Sequence, residues 1–221
     1  MYNYKLLNNH YVVEIDGDHY IVDTGSPKSY KFRRDLTGVT IDGVWHGLNV
    51  PKPNFSLPKT RKLVGYPVDG LIGADVFGST GLTIYKDNEE GGRIDFASHN
   101  INGSTYPMLA LPNGSAPLIQ TDNNKLYLVD TGARYGYGSK SMFNGLTSFD
   151  TVWDYNPDLQ DMYSPIYNVE VEFNNKKCHT TACYNSNVTF PIPNFLMVGN
   201  ITDLFQKECC INYRERKIIF N

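Results

Sequence analysis

Two carboxylates set in matching local sequence are the chemically suggestive residues of this chain. Asp23 lies in Ile21-Val22-Asp23-Thr24-Gly25-Ser26, and Asp130 lies in Leu128-Val129-Asp130-Thr131-Gly132-Ala133. A single Asp-Thr-Gly is an ordinary turn signal. Two copies, each after two branched apolar residues and before a small one, point to carboxylates brought together by a duplicated fold. Two carboxyl groups a few ångströms apart cannot both ionise readily, so they share a proton over a broad range of pH. The charged member can take a proton from water while the protonated member donates toward a carbonyl. That division of labour hydrolyses a peptide bond with no metal and no covalent intermediate.

The duplication extends beyond the tripeptides. A shift of 107 residues overlays Tyr11–Ser26 on Leu118–Ala133 without a gap. Val12 then meets Ile119, Tyr20 meets Tyr127, Ile21 meets Leu128 and Asp23 meets Asp130. Turn-forming Asp16-Gly17-Asp18 meets Asn123-Asn124-Lys125. Both copies predict a β-hairpin whose second strand delivers an Asp to a tight turn. A later block repeats with looser spacing. Leu71-Ile72-Gly73 and a final hairpin in the first half match Met197-Val198-Gly199 and a final hairpin in the second.

Period-two patterning predicts strands at Tyr11–Ile15, His19–Val22, Val39–Ile41, Val44–Leu48, Leu82–Tyr85, Leu126–Val129, Val169–Phe173, Lys177–Ala182 and Lys217–Phe220. Tyr106–Leu111 is a further candidate, with Pro107 confining it to an edge or a strand start. Short helical stretches are expected at Ala74–Gly78, Ser139–Asn144 and Ile201–Lys207. Pro51–Arg61 reads as a polar, Pro-rich loop, and Gly136-Tyr137-Gly138 as a flexible turn.

The chain has 221 residues, 41% of them hydrophobic, enough to bury a core in one domain or two small lobes. The net charge is −3 and the basic residues are scattered, which gives no footprint for nucleic acid. No apolar stretch approaches the ~18 residues of a membrane span. Met1–Leu7 lacks the long apolar middle of a signal peptide, which suggests a cytoplasmic protein, a mature secreted form with an added Met being the alternative. Cys178, Cys183, Cys209 and Cys210 form no Cys-x-x-Cys pair and the histidines are dispersed. Reduced, buried thiols are expected, with no metal site and no cofactor.

These motifs resemble the pepsin and retropepsin superfamily of aspartic proteases. The resemblance rests on the two Asp-Thr-Gly-Ser/Ala turns and the two apolar-apolar-Gly elements, and it covers most of the chain as a repeat architecture. At this length the chain looks like two retropepsin-sized units fused head to tail. The resemblance implies an all-β, two-lobed acid-protease fold. Its lobes, residues 1–105 and 106–221, would be β-barrel-like, carry a few short helices and be related by a pseudo-twofold axis. It also implies a catalytic pair, Asp23 and Asp130, at the floor of a cleft. Thr24 and Thr131 would hydrogen-bond across the axis, and Gly25, Ser26, Gly132 and Ala133 would complete the turns. Ser26 can hydrogen-bond the Asp23 carboxylate where Ala133 cannot reach Asp130, making the two carboxylates unequal. Both aspartates belong to one chain, so a monomer suffices, and the partner is a peptide or protein substrate.

The two halves depart from the family where a flap is needed. The interval from Asp130 to the Asn174-Asn175 turn is more than twice that from Asp23 to the Asp42-Gly43 turn. A flap therefore fits only in the second half, at Val152–Ile166, with Asn156-Pro157-Asp158 at its tip. Trp153, Tyr155 and Tyr163 are its candidate substrate-binding residues, against the alternative that they are core aromatics. Chain ends Tyr2–Leu7 and Lys217–Phe220 are expected to join a sheet that ties the halves together. A catalytically silent peptide-binding or scaffold protein on the same fold is the competing function. Intact Asp-Thr-Gly in both halves argues against it, and the unusual flap argues for it.

Overall fold

A computed structural model describes residues 1–109, 116–121, 124–173, 176–188, 190, 192–199 and 201–221. The expected turns at Asn123 and Asn174-Asn175, and the end of the candidate strand at Leu111, lie outside them. The protein is mostly β, with short helical segments. Its strands link into one closed, hydrogen-bonded network, apart from a two-stranded ribbon, Gly38–Ile41 with Val44–Gly47. No helix among the described residues is long and apolar enough to cross a membrane.

Local sequence explains the hairpins. His10–Ile15 and Asp18–Val22 pair antiparallel about Asp16-Gly17, where both residues take positive φ (54° and 85°). That conformation matches the twist of the flanking strands and suits Asp-Gly. Val22 then runs parallel to Ile72, in the strand Gly70–Ile72. The second half repeats the arrangement: Leu118–Gln120 pairs with Leu126–Val129, and Val129 runs parallel to Val198 in Phe195–Val198.

The halves share one core and one sheet. Leu82–Asn88 pairs antiparallel with Glu208–Asn212, placing Ile84 opposite Cys209. Lys217–Phe220 lies between Glu208–Asn212 and Ser104–Leu109. Tyr2–Leu7 joins the same sheet through His10–Ile15 and Gly91–Asp95. Both chain ends thus enter a sheet that spans the halves, and the crossing pair is Leu82–Asn88 with Glu208–Asn212. Tyr11, Val22, Ile72 and Ile84 pack in the same buried cluster as Tyr127, Val129, Val198 and Ile211. Cys183, Cys209 and Cys210 are buried free thiols, and Cys178 is half-buried.

Two segments differ from expectation. The expected loop Pro51–Arg61 instead runs into a helix, Leu57–Val64, the longest among the described residues, because Pro58 falls in the first turn, where its missing N–H is no loss. Gly65 ends the helix in the left-handed conformation, donating its N–H to Arg61 O. Gly136–Gly138 is a short buried strand, not a flexible turn. It is held between Phe195–Val198 and Lys176–Cys183. The helical stretches expected at Ser139–Asn144 and Ile201–Lys207 are present as single 3₁₀ turns, Lys140–Phe143 and Ile201–Leu204.

Candidate active site

Each aspartate emerges from an apolar strand at the same point relative to its parallel neighbour. Asp23 N–H donates to Ile72 O (2.9 Å), and Asp130 N–H donates to Val198 O (3.0 Å). The chain then turns back on the carboxyl group. Gly25 and Ser26 N–H both donate to Asp23 Oδ1 (2.9 Å each), and Gly132 N–H donates to Asp130 Oδ1 (3.0 Å). The Ser26 hydroxyl is not a ligand of the carboxylate as expected; it donates to Lys28 O at 2.7 Å.

Thr24 and Thr131 lock the two turns together. Thr24 Oγ1 donates to Val129 O (2.8 Å) and accepts the N–H of Thr131 (3.1 Å). Thr131 Oγ1 donates to Val22 O (2.7 Å) and accepts the N–H of Thr24 (3.0 Å). Both threonines are fully buried. Each hydroxyl therefore satisfies a backbone N–H and a carbonyl of the opposite half that have no access to water.

The carboxyl groups face each other across this lock. A Cβ on Gly25 would fall 2.5 Å from Asp130 Cγ, and a Cβ on Gly132 would strike the Asp23 carboxyl. Only glycine lets each turn press against the opposite aspartate. Each carboxyl is thus packed directly against the turn that carries the other. Burial raises the pKa of both, that of Asp23 well above the usual carboxylate range. The neighbouring Asp130 charge raises Asp23 further, and backbone N–H groups of the turns partly offset the rise at both carboxyls. The Ser26 hydroxyl, turned toward Lys28 O, does not distinguish the two carboxyls.

The pair lines a cleft of about 590 Å³. Ile21, Phe32 and Leu71 contribute apolar lining from the first half, and Met162, Phe190 and Met197 from the second. The segment expected to form a flap does form a hairpin, Asp150–Asn156 with Gln160–Phe173, in which Trp153 faces Tyr163 and Asn156 faces Gln160. Asn156 Oδ1 caps the turn by accepting the N–H of Asp158 (2.8 Å) and Leu159 (3.2 Å). The tip, Tyr155–Leu159, lines the cleft together with the aspartates.

Along Gln160–Phe173 the buried positions run 162, 164 and 166, then 169, 171 and 173. This change of phase lets one strand serve two faces. Met162 and Ile166 pack beside Tyr137 near the hairpin, while Val169, Val171 and Phe173 enter the main core. The hairpin base is tied down where Tyr137 OH donates to Asp154 Oδ2 (2.6 Å). Burial raises the Asp154 pKa, and the Tyr137 hydrogen bond opposes the rise.

The hairpin tip rests on the first half. Lys52 Nζ meets Asp158 at 2.7 Å, and Lys59 Nζ meets Asp161 at 2.6 Å. Tyr155 OH accepts the N–H of Ser56 (2.7 Å) and donates to Asn54 O (3.3 Å). Asn54 Nδ2 donates to Pro157 O at 2.5 Å.

Of the three aromatics expected to bind substrate, only Tyr155 lines the cleft. Trp153 donates its indole N–H to Asp161 (3.0 Å) and lies under Lys62 Nζ, 4.4 Å from the ring centroid. Tyr163 is 71% exposed and lines a shallow depression on the outside of the hairpin. Lys52, Phe55, Arg134 and Tyr137 also line the cleft but were not singled out from the sequence. Arg134 and Tyr137 follow the second Asp turn closely, which is the one signal that could have found them.

Compared with protein-family models and with curated proteins, the chain matches none.

Proposed function

We propose that this protein is an aspartic endopeptidase that hydrolyses extended peptides through an Asp23/Asp130 pair. The observation that carries the proposal is the facing of two carboxyls on register-matched turns, joined by reciprocal threonine hydrogen bonds. The recurrence of strand pairing in the halves supports a two-lobed acid-protease fold with a pseudo-twofold axis, divided near residue 105. The raised pKa of the pair keeps one proton on it well above the ordinary carboxylate range. The ionised member then deprotonates a water between them, and the other protonates the scissile carbonyl oxygen. A peptide would lie extended beneath the hairpin Asp150–Asn156/Gln160–Phe173, with alternate side chains entering the apolar walls.

One observation favours a second reading. The hairpin tip is held to the Lys52–Lys59 segment over the aspartates, which suits a peptide-binding or scaffold protein that performs no hydrolysis. Digestion of a peptide library between about pH 3 and 7, with and without a pepstatin-type inhibitor, separates the two. An endopeptidase gives inhibitor-sensitive cleavage that Asp23→Asn and Asp130→Asn each abolish, because the carboxyls act as one unit. Its specific activity stays constant on dilution, since one chain supplies both aspartates. Hydrolysis at near wild-type rates in either variant refutes the proposal.

A further inference from the structure

Arg134 directly follows the second Asp turn and lines the cleft beside Asp130. Asn9 Nδ2 donates to its backbone carbonyl at 2.8 Å, so the residue is anchored from the first half as well as by its own turn. The side chain is half-buried, and its guanidinium carbon stands 5.0 Å from the Tyr135 ring centroid. Among the described residues it has no carboxylate within ion-pair distance and no side-chain hydrogen bond, in contrast to Arg33, Arg61 and Arg93.

The other ionic groups of the cleft wall are accounted for. Lys52 is taken by Asp158, His10 Nδ1 is in contact with Leu7 O, and Asp23 and Asp130 face each other. Asp154 receives the Tyr137 hydroxyl and feels the Arg134 charge only from beyond ion-pair distance. A guanidinium that loses water when a ligand fills the cleft needs a new acceptor, or the desolvation opposes binding. A carboxylate offers the matching two-oxygen geometry.

The first-half equivalent of Arg134 under the 107-residue shift is Pro27, which also lines the cleft. The unpaired guanidinium is therefore not repeated at the matching place in the first half, whose cleft lysine, Lys52, is paired with Asp158. The Arg134 backbone is four residues along the chain from Asp130, at most ~14 Å even if fully extended, which is about four residues of an extended peptide.

We propose that Arg134 is a specificity residue that receives a Glu or Asp side chain of the peptide, within about four residues of the scissile bond and on one side of it only. The inference rests on the peptide-cleft reading above, but it is testable without hydrolysis. Paired fluorogenic peptides carrying Glu, Gln or Lys at each position within that span are compared by kcat/KM. The same peptides, labelled, are titrated against the Asp23→Asn protein by fluorescence anisotropy.

A charge-assisted pair predicts a preference for Glu over Gln of roughly tenfold to a hundredfold at one position. Arg134→Gln should bring that ratio to about one, and Arg134→Glu should shift the preference to Lys, as a charge-pair mechanism requires. Circular dichroism establishes that each variant is folded. Equal treatment of Glu and Gln by the wild-type protein, or an acid preference that survives Arg134→Gln, overturns the inference. If no peptide is cleaved but the Arg134-dependent ratio appears in the dissociation constants, the hydrolytic reading falls and the acidic subsite stands.

Discussion

Replacing Thr24 with Val tests how the two turns are held together. The substitution keeps the branched shape and removes the hydroxyl. In the native protein that hydroxyl donates to Val129 O at 2.8 Å and accepts the N–H of Thr131 at 3.1 Å. Thr24 has no exposed surface, so water cannot take over either partner. Two backbone groups are left buried and unpaired at about 1–3 kcal/mol each, giving about 2–6 kcal/mol in total. For a chain of this size that lowers the thermal midpoint by roughly 4 °C at the least, and by more if both groups carry their full penalty.

Thr131→Val should cost the same to within about 1 kcal/mol, because its hydroxyl contacts mirror those of Thr24 and the penalty per group is the same. Thr24→Ser retains both hydrogen bonds and should lose well under half as much. Urea unfolding followed in parallel by fluorescence and far-ultraviolet circular dichroism measures each difference, provided the two transitions coincide. A loss below about 1 kcal/mol for Thr24→Val, or sharply unequal losses for the two threonines, would refute the reciprocal lock.

Two further outcomes are expected. Both aspartates have pKa values raised by burial, so the folded protein retains a proton that the unfolded chain releases above about pH 4. Stability contributed by the pair is thus fully present below that pH and lost as pH rises toward the folded values. Asp23→Asn should accordingly be more stable than wild type at pH 7, with the difference vanishing by about pH 3, as urea titrations at several pH values will show. Lys52→Ala combined with Lys59→Ala should change global stability by no more than about 2 kcal/mol, because both ion pairs are exposed and each contributes at most about 1 kcal/mol. The same variant should accelerate amide exchange across residues 154–162, and unchanged exchange there would mean that the tip is held by other contacts.

The paired aspartates were legible because a duplicated turn leaves two copies of one signal, and because the chain around each turn is short and local. The hairpin at Val152–Ile166 was legible from its apolar-polar alternation around Asn156-Pro157-Asp158. What the alternation could not supply was the surface opposite each face. Trp153 and Tyr155 share one face with Asp161, and that face meets the segment Lys52–Lys62. Much of this segment is the helix Leu57–Val64, hidden in the sequence by Pro58, although Ser56 before it and Gly65 after it are ordinary end signals. Missing the helix turned Trp153 from a packing residue into a supposed ligand contact. Arg134 had only its closeness to the second Asp turn as a signal, since a cleft-facing and a solvated arginine look alike without the neighbours that fail to pair with it.

The sheet that crosses the halves has a consequence for biosynthesis. Ile84 finds its partner Cys209 only after more than a hundred further residues have been added, and Thr24 waits similarly for Thr131. At ~5–20 residues per second, synthesis from Asp130 to the strand Glu208–Asn212 takes on the order of ten seconds. Throughout that interval both aspartates exist, yet the frame that holds them face to face is incomplete. A nascent chain of this protein therefore carries an unassembled carboxyl pair while it is still attached to the ribosome, and its early hairpins must remain soluble until their distant partners emerge.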